Sequence, residues 1–143
     1  MVYKTAPKNF NPRFEIVSCY VEYGGKILLL HRHKEKSQGD KWGVPAGKME
    51  KGEKLVDAMI REAREETGLT IKPSELEYLE KVFVRYPGYD FVYHMFRMKL
   101  EAKHSVVLSS KEHQAFCWVT PKQALKMNLV NDLDACIKMS YEN

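Results

Sequence analysis

The sequence predicts an α+β or α/β sandwich built around one sheet. Three observations carry this. The chain has 143 residues, the size of one ordinary domain with its own core. Its apolar segments are mostly strand-like runs bounded by turn signals, and helices stand among them in mixed order. One segment near the middle has a clear helical period.

The elements follow in order. Residues 1–12 are polar and read as an N-terminal tail or arm; they lack the apolar stretch of a signal peptide. Phe14 to Tyr23 is rich in strand formers, and Tyr23-Gly24-Gly25-Lys26 is a hairpin turn signal. Lys26 to His31 is the return strand, whose Ile27-Leu28-Leu29-Leu30 run predicts burial on both faces. Residues 32–53 hold charges, glycines and one proline and read as a long loop of the kind that carries function. Lys54 to Thr67 is the helix, with Gly68 at the position past its end where positive φ is needed. Leu76–Tyr86 and Tyr89–Leu100 are strands joined at Pro87-Gly88, and Glu112–Val119 is another. Thr120 caps a short helix opened by Pro121, and Asn131–Tyr141 forms a terminal helix.

Composition sets the class. Hydrophobic residues make up 44% and charged residues 29%, as in a soluble globular protein. The net charge of +4 suits an anionic small molecule and gives no argument for stable nucleic-acid binding. No apolar run approaches the ~18 residues of a membrane span. The three cysteines, Cys19, Cys117 and Cys136, form no metal-binding or disulfide pattern, so reduced thiols and a cytoplasmic location are expected.

The chemistry concentrates between Gly47 and Leu69. At ~100° per residue, Leu55, Ala58 and Met59 share one face, widened by Val56, Ile60 and Ala63. Lys54, Asp57, Arg61 and Arg64 lie opposite. Glu62 and Glu66 continue the line of Leu55 and Met59, with Glu65 beside them, so the apolar stripe turns acidic in its last two turns. A solvated acidic helix end is the simpler alternative, but acids near a helix C-terminus oppose its dipole. Carboxylates crowded at a partly buried edge need raised pKa values or a cation, and a hard divalent ion resolves the conflict.

Gly47, five residues, Glu53, seven residues and then Arg61-Glu62-Ala63-Arg64-Glu65-Glu66-Thr67-Gly68-Leu69 resemble the signature of the Nudix hydrolases. The departure is Ala63, where the family usually has a larger aliphatic residue; this touches packing rather than chemistry. The Trp42-Gly43-Val44-Pro45 approach and the Trp118-Val119-Thr120-Pro121 segment extend the resemblance weakly.

The resemblance implies a Nudix-type α/β/α sandwich with a mixed β-sheet over residues 13–143. It also implies cleavage of a diphosphate linkage in a nucleotide-like substrate with Mg²⁺ or Mn²⁺. By that resemblance Glu62, Glu65 and Glu66 are metal ligands, one of them a candidate general base, and Gly47 offers its carbonyl. Arg61 orients Glu53 or Glu65, and Glu53 supports the site or a further metal. Glu112, just before a strand ending in tryptophan, is a candidate catalytic or metal-binding acid, weighed evenly against a surface role. His113 beside it could also serve in that role, but the preferred reading is a surface histidine.

Arg32 is a candidate phosphate contact and Tyr86 a candidate base contact, each against a plain solvated or packing role. The expected partner is a small nucleotide, with no membrane, and a homodimer is compatible. The leading reading is a nucleoside tri- or polyphosphate pyrophosphohydrolase. The alternatives are nucleotide-sugar or ADP-ribose cleavage and a non-enzymatic nucleotide sensor.

Overall fold

The computed structural model describes residues 1–142. Eight strands form one sheet: β1 (Val2–Tyr3), β2 (Pro12–Tyr23), β3 (Lys26–Arg32), β4 (Trp42–Gly43), β5 (Ala46–Lys48), β6 (Glu77–Tyr86), β7 (Tyr89–Lys99) and β8 (His113–Val119). The helices are α1 (Leu55–Thr67), α2 (Pro121–Ala124) and α3 (Leu133–Tyr141), with a 3₁₀ turn at Pro73–Glu75. No helix among the described residues is long and apolar enough to cross a membrane.

The sheet is mixed. β2 and β7 run parallel from Phe14↔Phe91 to Glu22↔Lys99, and the other pairings are antiparallel. The β2–β3 turn holds Gly24 and Gly25 at φ 59° and 79°, a doubly left-handed turn that glycine adopts without steric cost.

The other edge of β2 is shared between two partners. Near the turn it pairs with β3, at Glu22↔Ile27 and Tyr23↔Lys26. Near its start, at Ile16 to Ser18, it pairs with β5 instead. β3 meanwhile leaves to pair with β8 and β4. The sheet therefore splays, and the segment from Trp42 to Lys48 bridges the split, with the Cys19 amide donating to the Pro45 carbonyl at 3.0 Å.

Period-two alternation builds a core on each face. Val17, Cys19, Val21, Leu28 and Leu30 pack with Ala58, Met59 and Ala63 of α1. Tyr20, Ile27 and Leu29 pack with Leu133, Cys136 and Ile137 of α3 on the other side. These layers give the α/β/α sandwich, and all of Ile27 to Leu30 is buried as its apolar run predicts.

Three strands were not foreseen. β4 and β5 lie inside the expected 32–53 loop, and β1 lies inside the expected tail. β1 pairs with β6 at Val2↔Val84 and Tyr3↔Phe83, and Phe10 packs edge-on against Phe83 at 5.2 Å. α1 begins at Leu55, with Lys54 as its N-cap, and ends at Gly68, whose amide donates to the Arg64 carbonyl at 2.9 Å with φ 75°.

Candidate functional site

The splayed edge and α1 meet at Gly47. β5 lies across the C-terminal half of α1, and Glu62 and Glu66 point from the helix towards it. Both are buried, at 9% and 5% exposure, as their alignment with the apolar stripe predicts. The Ala46 amide donates to Glu66 Oε1 at 2.8 Å. The Glu62 carboxylate lies directly against the Cα of Gly47, in space that any β-carbon at that position would occupy.

Arg61 organises the outer side. Its Nε and Nη2 donate to the two Glu53 oxygens at 2.8 and 3.0 Å, the paired geometry that suits guanidinium and carboxylate. Nη1 donates to Glu62 at 2.8 Å, and Nη2 also reaches the Lys48 carbonyl at 3.2 Å. Glu65 is held more loosely, at 3.4 Å, and its side chain is 56% exposed. The crowding expected of three carboxylates is thus a buried pair, Glu62 and Glu66, with Glu65 at the rim.

The electrostatics divide the acids. The Arg61 hydrogen bonds, with the Glu50 amide, hold the Glu53 carboxyl down at about 2. Burial pushes Glu62 up, opposed by Arg61. Burial pushes Glu66 well up, and the neighbouring charges of Glu62 and Glu112 add to the shift. Arg61 is already shared among several acceptors, so no cation of the protein neutralises Glu66 directly among the described residues.

His113 corrects the sequence reading. Expected at the surface, it is 5% exposed, and burial lowers its pKa to about 4. It opens β8 opposite Arg32, where the register shifts, and its ring turns inward. Its Nδ1 is buried without a hydrogen-bond partner. Glu112, exposed itself, sets its carboxylate beside Glu66, and Glu66, Glu112 and His113 offer ligand atoms all within 4.8 Å of one another. A period-two pattern fixes alternation but not which face is inside, which is why His113 was placed wrongly.

Glu66, Gly47 and His113 line a cavity of about 460 Å³. Phe14, Tyr86, Tyr89, Phe91 and Tyr93 give the same cavity an aromatic lining. Tyr86 packs edge-on against Tyr89 and Phe91, and its hydroxyl donates to the Asn131 carbonyl at 3.1 Å. Arg32 also lines the cavity, its Nε donating to the Ser37 carbonyl at 2.9 Å. Basic side chains missed by the sequence reading stand at the same cavity: Arg13 over the Tyr89 ring and Lys48 over the Phe14 ring at 4.2 Å.

The residues fit a divalent cation. Two buried carboxylates, one of them held close to the Gly47 backbone by the missing β-carbon there, and a further acid with an imidazole form an oxygen-rich donor set.

A family model described as NUDIX domain matches residues 12–138. The chain is 33% identical over 115 residues to the CTP pyrophosphohydrolase of Escherichia coli (strain K12), covering 80% of this chain and 82% of that one. Among solved structures, the E. coli ORF135 protein aligns with a TM-score of 0.71 at 28% identity, over 87% of this chain and 86% of that one. A MutT protein from Methanosarcina mazei Go1 aligns with a TM-score of 0.75 at 25% identity, over 93% and 98%.

Proposed function

This chain belongs to the Nudix hydrolase family, and from that premise we propose that its site cleaves the diphosphate linkage of a nucleoside triphosphate or polyphosphate with Mg²⁺ or Mn²⁺. The observation that carries the reading is the buried Glu62–Glu66 pair, with Glu62 set against Gly47 and with Glu66 and Gly47 lining a cavity that aromatic side chains also line.

Glu62, Glu65, Glu66 and the Gly47 carbonyl would hold the cation. When bound, it supplies charge neutralisation on the phosphate oxygens and acidifies a water molecule. The chain's own residues do the rest. Arg61 fixes Glu62 and keeps the ionised Glu53 beside it. Arg32 supplies a positive charge on the cavity wall for the phosphate chain, and the aromatic wall takes the base. Water oxygen bonds to phosphorus as the bridging P–O bond breaks, a carboxylate of the buried pair accepts the water's proton, and a nucleotide and a phosphate or pyrophosphate leave.

Incubation of the purified protein and Mg²⁺ with nucleoside triphosphates, dinucleoside polyphosphates and sugar diphosphates, with products identified, tests this. Release of a nucleoside monophosphate and pyrophosphate from triphosphates is expected. Turnover confined to ADP-ribose or nucleotide sugars would overturn the substrate class, and no turnover of any nucleotide would overturn the activity.

A further inference from the structure

We propose that the open edge of β8 pairs with the same edge of a second copy of this chain, antiparallel about a two-fold axis at Cys117, giving a homodimer with one continuous sheet. The inference stands apart from the hydrolase reading and does not rest on it.

The edge itself is the first observation. β8 pairs with β3 on one side, and among the described residues no backbone pairs with its other side from Ala115 to Val119. Such an edge presents unpaired amide and carbonyl groups, a ready template for another strand. Natural sheets blunt exposed edges with lysine or proline. The run Ala115-Phe116-Cys117-Trp118-Val119 has neither, and it carries no charge at all. Phe116 is 41% exposed, where a strand facing only water would ordinarily hold a polar side chain.

The register points to the occupant. Pairing with β3 slips at Gln114, between His31↔Ala115 and Arg32↔His113. The Gln114 amide is spent on the Arg32 carbonyl and on Asp40. An irregularity of this kind interrupts the ladder, so the regular edge runs from Ala115 to Val119 with Cys117 at its middle. Antiparallel pairing about that midpoint sets Phe116 against Trp118 and Ala115 against Val119, each twice by symmetry. Cross-strand aromatic pairs stabilise a sheet. The same register carries exposed Glu112, just before the strand, towards exposed Lys122 of the second copy, just after it. Opposite charges therefore meet at both ends. An edge complementary to itself in apolar pairs and in charge fits a second copy of the chain. Glu112 also lies beside Glu66, so the interface adjoins the candidate site.

The test is sedimentation velocity of the full chain over a concentration series, joined to cross-linking with diamide, which takes the two thiol hydrogens as the sulfur–sulfur bond forms. Residues opposed across an antiparallel pair have β-carbons about 5 Å apart, close to the ~4 Å of a disulfide. A reversible monomer–dimer equilibrium is expected, with a disulfide-linked dimer under diamide that Cys117→Ser abolishes; Cys19 and Cys136 are buried and should stay unreacted. Phe116→Lys, at an exposed position, should raise the dimer dissociation constant by at least ~10-fold while the folded monomer keeps its circular dichroism. A protein that stays monomeric at every concentration, leaving the β8 edge to a partner of another kind, would overturn the proposal. So would a dimer that Phe116→Lys leaves intact, or a diamide product that survives Cys117→Ser. Each of these results leaves the hydrolase reading standing, since nucleotide turnover is measured separately.

Discussion

The Arg61 guanidinium grips the Glu53 carboxylate with two parallel hydrogen bonds of 2.8 and 3.0 Å, and the same guanidinium reaches Glu62 at 2.8 Å. Glu53 precedes α1, so this fork ties the entry of the helix to its acidic end and sets the rotamer of a buried carboxylate.

Arg61→Lys keeps the charge but loses the planar fork. The expected result is a fall of about 10–100-fold in kcat, comparable with losses on removing groups that orient metal ligands. Far-ultraviolet circular dichroism should be unchanged. Steady-state kinetics checks the first expectation and the spectrum the second.

Gly47→Ala sets a β-carbon where the Glu62 carboxylate now lies. Glu62 must swing away or β5 must shift. The expected stability loss is ~1–3 kcal/mol, as for overpacking, with activity falling much further than stability. Denaturant melts and kinetics on the same preparation separate the two.

Much of this arrangement was legible in the sequence, because a helix wheel converts spacing into direction. The positions of Glu62 and Glu66 beneath Leu55 and Met59 implied burial, and both are buried. Gly68 closed the helix as its φ of 75° requires. Other features were hidden for physical reasons. β4 and β5 have two and three residues, too few to show a period. The burial of His113 depends on which face of β8 meets the cavity, a matter of sheet splay rather than local pattern. Arg13 and Lys48 approach the cavity from strands distant in sequence, and nothing in their neighbours marks them.

Asp90 predicts acid behaviour away from the site. Arg85 donates to both its oxygens, at 2.8 and 3.0 Å, and the Asn11 amide adds 2.8 Å. These bonds hold its carboxyl at about 2, below the ordinary 3.8. A depressed carboxyl contributes stability above the unfolded value and loses it as pH falls through the folded one. The wild type should therefore lose stability between about pH 4 and pH 2, and Asp90→Asn should show a shallower loss over that window. Urea melts across pH 2 to 6 measure both slopes.

Tyr86→Ala removes an aromatic wall and the hydroxyl bond to Asn131. If the wall binds the base equally in the ground and transition states, KM should rise roughly tenfold with kcat little changed. Initial rates over a range of nucleotide concentrations give the split.

The most direct test is the turnover of Glu66→Gln, compared with the wild type on the same nucleoside triphosphate and Mg²⁺, with the fold checked by thermal melting. Glu66 is the acid that burial, the Ala46 amide and two neighbouring carboxylates all converge on. The account predicts a rate lower by at least ~100-fold, a melting temperature in chelator equal to or above that of the wild type, and no wild-type turnover once the metal is chelated. A folded Glu66→Gln protein that turns over at near the wild-type rate would contradict it.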